Sequence, residues 1–307
     1  AQLKGIGVIG TGDFTHPRWF SDLTHKLDPL GNGLFELRHT FRSGEIPPSC
    51  AADVFYLLTA EISCIYRKHG RTRKIHSIVM MPDFEGAARL TDRLSAIGNL
   101  RSDGRPILGL DAKDLLAMAL DASPGAMLVP AHAWTPHFSL FGAFSGFDSL
   151  EECFDDLSDR IYAIETGLSS DPPMNRRFSA LDGITLISNS DAHSPGKMGR
   201  EANIFAGEPS YEAIARALKT GSGFEGTIEF FPEEGKYHYD GHRGCSVRCS
   251  PDETDAMGSL CPVCGKPLTI GVVHRVKELS DRPDGYRPTS GAGYYSVIPL
   301  LEVIAEV

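Results

Sequence analysis

Thr185-Leu186-Ile187-Ser188-Asn189-Ser190-Asp191-Ala192-His193 carries a short apolar run straight into a carboxylate and an imidazole two residues apart. On an extended chain, side chains at i and i+2 point the same way, so Asp191 and His193 can face one cation. A carboxylate paired with an imidazole suits Zn2+, Mn2+ or Fe2+. Taken alone, the stretch reads better as a turn, with Asp191 as a cap and His193 at the surface. The same arrangement, however, recurs along the chain. Ile9 leads to Asp13, Leu58 to Glu61, Ile75 to His76, Val129-Pro130 to His132, and Ile164 to Glu165. Strand candidates are 6–10, 56–62, 75–81, 127–130, 161–164, 185–187 and 226–230. Helix candidates at 19–27, 85–97, 112–120, 149–157 and 211–219 alternate with them. That alternation predicts an α/β fold with a mainly parallel sheet. In α/β barrels the C-terminal strand ends converge on one face, so ends that each offer Asp, Glu or His would assemble one cluster.

Each candidate also has a plainer reading. Glu61 sits inside an apolar run and needs a cation, a partner or a proton, because a buried unpaired carboxylate is costly. A bridging role between two metals or a salt bridge to an Arg would both satisfy it. His76 follows the same logic, and His132 reads alternatively as a hydrogen-bonded histidine at the edge of the core. Gly10-Thr11-Gly12-Asp13-Phe14-Thr15-His16 follows a strand but lacks the Lys-Ser/Thr of a P-loop, leaving Asp13 and His16 as ligands or as support for ligands. Glu165 is a ligand, a base or a carboxylate that orients a ligand from behind. The placement of all of them at successive strand ends favours one metal cluster.

The composition is that of a globular domain, with 307 residues, 41% apolar and 23% charged. The net charge of −10 argues against coating nucleic acid by bulk charge. No run of about 18 apolar residues is present to cross a membrane. The opening Ala1-Gln2-Leu3-Lys4-Gly5 reads as the last turn of a helix with a Gly cap. Residues 291–307 read as the start of a helical segment, and the expectation is of further residues at both ends.

Past residue 234 the chain turns rich in Gly, Cys and charge, so the expected division is a barrel at 1–234 and a finger at 235–290. Of seven Cys, Cys245, Cys249, Cys261 and Cys264 fall within 20 residues. Two close pairs, the second in Cys261-Pro262-Val263-Cys264-Gly265, match a closed tetrahedral structural Zn2+ site rather than a disulfide framework. One strongly basic run, Arg67-Lys68-His69-Gly70-Arg71-Thr72-Arg73-Lys74, links the Glu61 and His76 strands. Arg67, Lys68, Arg71, Arg73 and Lys74 could hold phosphates from a hairpin beside the cluster, or form a solvated turn. Arg243 and Arg248 in the finger, with Tyr237, His238 and Tyr239, could stack and clamp in the same way.

The order Asp13, Glu61, His76, His132, Asp191-x-His193 resembles the PHP superfamily of phosphoesterases. More specific stretches resemble the endonuclease Q family: LKGIGVIGTGDFTHP (3–17), AEISCIY (60–66), SDGRPILGLDAKD (102–114), ETGLSSDPPMN (165–175), SNSDAHSP (188–195), GREAN (199–203) and GKYHYDG (235–241). That resemblance spans nearly the whole chain. It departs from the pattern at Arg176, where the family has an aromatic residue, and at Phe14, where many PHP proteins have His. An N-terminal His-x-His typical of PHP proteins is also absent from these residues.

The resemblance implies a distorted (β/α)7 PHP-type barrel followed by a four-cysteine zinc finger. It implies two or three divalent ions (Zn2+, Mn2+ or Mg2+) in the barrel, held by Asp13, His16, Glu61, His76, His132, Asp191 and His193. Asp191, Glu61 and His132 would be central to catalysis, with Glu165 behind them. The implied activity is hydrolytic nicking of DNA 5′ to deaminated bases (uracil, hypoxanthine, xanthine) or abasic sites, with damaged DNA as partner and no membrane. A PHP phosphatase for a small phosphomonoester and a non-catalytic binding module are the rival readings.

Overall fold

The computed structural model describes residues 1–42, 46–288 and 291–305. After a first turn at Gln2–Lys4 closed by left-handed Gly5, strand β1 (Val8–Gly10) leads to helix α1 (Pro17–Lys26) and the short strands β2 (Leu27–Pro29) and β3 (Phe35–Leu37). Strands β4 (Phe55–Lys68) and β5 (Arg71–Met81) form one long antiparallel hairpin. Its two-residue turn, His69-Gly70, is left-handed at both positions (φ 53° and 74°), as a type I′ turn requires. Then come α2 (Phe84–Ser95), β6 (Ile107–Leu108), α3 (Ala112–Ala122), β7 (Met127–Pro130) and α4 (Leu150–Phe154). They are followed by β8 (Ala163–Glu165), α5 (Pro172–Arg176), β9 (Thr185–Ile187), β10 (Ala202–Phe205), α6 (Tyr211–Thr220) and β11 (Phe224–Glu229). The finger segment contributes β12 (Asp240–His242), β13 (Val247–Cys249), α7 (Pro251–Ala256) and α8 (Val272–Leu279). Strand β14 (Gly293–Ser296) and helix α9 (Leu300–Ala305) come last.

The wall of the barrel runs β1–β4–β5–β7, with β1 and β6 parallel to β4 and with β5 antiparallel to both β4 and β7. Ala133 N donates to Glu165 O (2.9 Å), which carries the wall on to the parallel pair β8–β9. Asn203 then ties Ser188, just past β9, to β10 through both its amide atoms (2.9 Å each). The fold is therefore mixed α/β, and the expectation of a mainly parallel sheet is corrected at its centre. The basic run at 67–74 is a hairpin turn, and a hairpin forces its two strands antiparallel.

Helices α2 and α3 cover the outer face of this wall. Gly86, Ala87, Leu90 and Leu94 of α2 and Leu115, Leu116 and Ala119 of α3 repeat at helical spacing and are fully buried. Asp83 caps α2 by accepting from Gly86 N (2.6 Å). Helix α8 returns to the same core through Val272 and Val276. Its Arg275 donates to the carbonyls of Phe141 (2.8 Å) and Phe147 (3.2 Å), so the finger is seated on the barrel. At the far end, the helical segment expected over 291–307 begins at Leu300. Gly293–Ser296 instead form a strand parallel to β11. Residues 306–307 of that expected segment lie outside the described residues.

Candidate metal centres

The register of the β4–β5 hairpin builds the first site. Glu61 lies opposite Ile78 and Ser63 opposite His76, so Glu61 and His76 are diagonal neighbours on one face of the pair. Next to them, Ala131 N donates to His76 O (3.0 Å), which delivers His132 to the same place from the end of β7. Glu61 Oε1 lies 2.9 Å from His76 Nδ1 and 3.6 Å from His132 Nε2, and the two imidazoles are 3.2 Å apart. One ligand atom from each of the three lies within 4.8 Å of the others. Glu61 and His76 are not at strand ends, as expected, but midway along strands that run on past the site.

His132 is held from three sides. Its backbone N donates to Glu165 Oε2 (2.7 Å), its Nδ1 pairs with Thr135 Oγ1 (2.9 Å), and its φ of 31° is in the left-handed region. Gly167 packs so closely that a Cβ there would lie 2.7 Å from the His132 Cβ. Asp13 (φ 53°) and Asp191 (φ 43°) share this unusual backbone. Such conformations are costly for residues other than Gly and cluster at functional sites.

The electrostatics match a cation site. Burial alone would raise the Glu61 carboxyl, but hydrogen bonds and charge from His132 and His76 overcome it and hold Glu61 well below the usual carboxylate range. Burial lowers His76. Burial opposes but does not outweigh Glu61 at His132, whose pKa is raised. Burial pushes Glu165 up to about 7, against the pull of His132. An anionic carboxylate facing two imidazoles is an oxygen-nitrogen donor set that fits Zn2+ or Mn2+.

The other expected ligands stand around this trio rather than within it. Asp13 is half-buried and raised by burial, then by Asp103 and Glu61. His16 accepts weakly from Trp19 N (3.5 Å) as the cap of α1. Asp191 and His193 are both exposed, with His193 Nδ1 3.8 Å from Asp191 Oδ1. The loop that carries them is pinned by Arg200, whose Nε donates to Ser190 O (2.8 Å). Beneath it lie two acids that sequence reasoning missed, Glu201 and Glu229. Burial and mutual repulsion push Glu201 up to about 8, and burial pushes Glu229 up to about 7. Arg105, also missed, donates to Glu61 Oε1 at 3.2 Å.

The second site lies in the finger. Ligand atoms of His242, Cys245, Cys261 and Cys264 lie within 4.8 Å of one another. Burial would raise Cys261, but the backbone N–H groups of Cys264 and Val263 point at its sulfur and hold it down to about 6. That is the knuckle expected of Cys-Pro-x-Cys-Gly. Cys249, the fourth expected thiolate, is buried opposite Asp240 on the β12–β13 pair and is not in the group. His242, on the same strand as Asp240, contributes the fourth ligand atom of that group, while Cys249 packs beside Cys245 and Cys261.

The basic hairpin divides. Arg67 and Arg71 are exposed at its tip, and Lys74 lies 5.2 Å over the Phe138 ring beside His76. Lys68 and Arg73 are corrected as DNA contacts. Lys68 is nearly buried, paired with Asp155 (2.9 Å) and with Cys153 O (2.8 Å). Arg73 is buried 4.0 Å over the Phe147 ring and donates to Gly146 O. By the register Lys68, Arg71 and Arg73 share one face of the hairpin, so it is local packing against Asp155, Cys153 and Phe147, not alternation, that takes up Lys68 and Arg73 while Arg71 stays exposed at the tip. In the finger, Arg243 is exposed and Arg248 stacks 4.3 Å over Tyr239. Arg176, on α5, bonds the carbonyls of Leu181 and Ile184.

A curled α/β wall with a Glu/His cluster on its face, followed by a His/Cys finger, defines a PHP-domain protein. A family model described as PHP-associated matches residues 174–222, from α5 to just past α6. The chain belongs to the endonuclease Q family. It is similar to the lesion-specific endonuclease PfuEndoQ from Pyrococcus furiosus, at 30% identity and a TM-score of 0.81 over 100% of this chain and 70% of that one. It is equally similar to an endonuclease Q in complex with a 27-mer duplex carrying an abasic lesion at the active site, at 30% identity and a TM-score of 0.82 over 99% and 71%. Among curated proteins, it is 34% identical to uncharacterized protein YqxK of Bacillus subtilis over 68% of this chain and 52% of that one. It is also 34% identical to an uncharacterized protein of Methanocaldococcus jannaschii over 57% of this chain and 22% of that one. The chain thus spans about half or less of the length of these two curated relatives.

Proposed function

We propose that this chain carries the nuclease centre of a metal-dependent DNA-repair endonuclease, which cuts one strand 5′ to a deaminated base or an abasic site. The observation that carries this reading is the Glu61–His76–His132 cluster, set in a fold shared with a lesion-specific endonuclease. Glu61, His76 and His132 would hold a divalent ion, with Asp13, His16, Asp191 and His193 completing the set around it. Ions held there supply Lewis acidity and an activated water when bound. The chain's own part is orientation. Thr135 fixes the His132 ring so that its Nε2 faces Glu61, and Glu165 holds the backbone that carries it. Lys74, Arg67 and Arg71 offer positive charge along one edge for the phosphates of damaged DNA. In the finger, His242, Cys245, Cys261 and Cys264 would hold a structural Zn2+. Residues 1–234 serve in this reading as the catalytic barrel and 235–290 as the finger.

The test is a nicking assay with labelled duplexes bearing one uracil, one hypoxanthine or one abasic site, in Mg2+, Mn2+ or Zn2+. A single cut 5′ to the lesion, lost in Asp191→Asn, is the expected result. Absence of any cut, together with turnover of a generic phosphomonoester, would replace this reading with that of a phosphatase.

A further inference from the structure

We propose that Arg105 is a phosphate-gripping residue of the barrel site, held on Glu61 while the site is empty and turned to the scissile phosphate once a cation takes Glu61. This deepens the phosphodiesterase reading and rests on it.

Three observations carry the proposal. First, the loop bearing Arg105 is built into the site rather than draped over it. Ser63 N, on the strand of Glu61, donates to Pro106 O (2.9 Å), and Arg105 N donates to Asp103 Oδ1 (3.1 Å). Gly104 presses on Asp13 so tightly that a Cβ there would lie 2.2 Å from Asp13 Oδ2. A side chain there would have to push the Asp13 carboxylate aside. Second, Glu61 does not need Arg105 as a partner, since His76 Nδ1 already lies 2.9 Å from the same oxygen and His132 Nε2 3.6 Å away. Burial of a structural salt bridge is also not the pattern, because the Arg105 side chain is 37% exposed. Third, one guanidinium nitrogen faces Glu61 at 3.2 Å, and among the described residues the group makes no other hydrogen bond. A guanidinium has five donors in a fixed fork that matches two oxygens of a phosphate. The remaining donors of Arg105 are therefore directed to solvent beside the Glu/His cluster, where an incoming oxyanion can take them up.

The two states follow from charge. With no cation present, Arg105 neutralises Glu61 and Asp13 from the open side. A divalent ion on Glu61 repels the guanidinium and removes its acceptor, while a phosphate arriving at that ion supplies two new ones. The site trades an internal ion pair for a substrate contact.

The experiment measures binding of inorganic phosphate to the Mn2+-loaded chain, and of Mn2+ itself, for the parent, Arg105→Ala and Arg105→Lys, with thermal melting to verify folding. Expected for Arg105→Ala are Mn2+ affinity equal to or tighter than the parent and phosphate affinity about 10–100-fold weaker, the scale of a lost charge-assisted pair. Arg105→Lys, a point charge without the fork, should recover only part of the phosphate affinity. The proposal is overturned if phosphate affinity is unchanged in Arg105→Ala, or if Mn2+ affinity falls, which would make Arg105 an organiser of Glu61. Cleavage of the lesion duplex, run in parallel, separates the two ideas. A parent that cuts no lesion while Arg105→Ala loses phosphate sinks the repair reading and leaves Arg105 in place. A parent that cuts, with an Arg105→Ala that binds phosphate and cuts equally well, does the reverse.

Discussion

At the scale of single residues, the acids behind the cluster make the sharpest demand. Glu201 is 3% exposed; among the described residues its Oε2 has no hydrogen-bond partner, and its Oε1 accepts from Phe230 N at 3.2 Å. Glu229 is fully buried and takes hydroxyls from Thr227 and Thr166. Both carboxyls hold their protons to about 8 and about 7, against an ordinary 4.5. A raised native pKa means that the folded chain keeps protons the unfolded chain has released. Their contribution to stability is then complete below about pH 4.5 and is lost as pH rises through 7 to 8. We expect the melting temperature of the metal-free protein to fall between about pH 5 and 8, and Glu201→Gln, a neutral isostere, to flatten that fall and exceed the parent at pH 8. Melting curves across that range decide it, and an undiminished slope in the variant would assign the pH dependence elsewhere. Neither acid stood out in the sequence, because Glu201 precedes a strand among polar residues and Glu229 alternates with apolar ones. Only the convergence of β9, β10 and β11 makes them neighbours.

At the scale of elements, what was legible in the sequence was what local pattern determines. The strands Met127–Pro130 and Thr185–Ile187 lie where their apolar runs placed them, and the expected helices fall within a few residues of expectation, the one at 149–157 shortened to Leu150–Phe154. Strands β4 and β5 were read short. Ser63, Arg71 and Arg73 carry no apolar signal, and they become strand only by pairing across the hairpin. For the same reason the site was read as strand ends when its first two members sit mid-strand. Arg105 escaped notice because a loop has no period, although Asp103-Gly104-Arg105-Pro106 announces a tight turn. His242 did not stand out because four cysteines already supply a complete tetrahedral set. The finger thus yields its own test. If His242, Cys245, Cys261 and Cys264 hold Zn2+, Cys261→Ala should abolish it and unfold the segment, whereas Cys249→Ala should retain one zinc per chain and cost about 1–3 kcal/mol of packing. Metal analysis with circular dichroism reads both. Loss of zinc in Cys249→Ala with retention in His242→Ala would restore the four-cysteine set.

At the scale of the whole molecule, the proposed function sets an acidic chain, net −10, against an acidic polymer. Local positive charge reconciles the two. The exposed Arg67 and Arg71 stand at the tip of the hairpin that carries Glu61 and His76 midway along its strands. A phosphate backbone lying along that arm would be led to the cluster, and each phosphate neutralised releases condensed counterions. Binding of a lesion duplex should therefore weaken as salt rises, with a log–log slope that reports the number of such contacts. Arg67→Ala and Arg71→Ala should each lower that slope by about 1 and leave stability within ~0.5 kcal/mol of the parent. Lys68→Ala makes the contrast. Its ammonium is locked onto Asp155 and the Cys153 carbonyl, so its removal should destabilise the fold by about 1–3 kcal/mol without changing the slope. Fluorescence anisotropy across a salt series, with urea melts of the same variants, separates the two kinds of cation. If all three variants shift the slope alike, Lys68 contacts phosphate as well and its assignment to the Asp155 and Cys153 contacts fails. If none does, the phosphates are led in by other cations, and Arg243 and Arg248 on the finger become the first to replace.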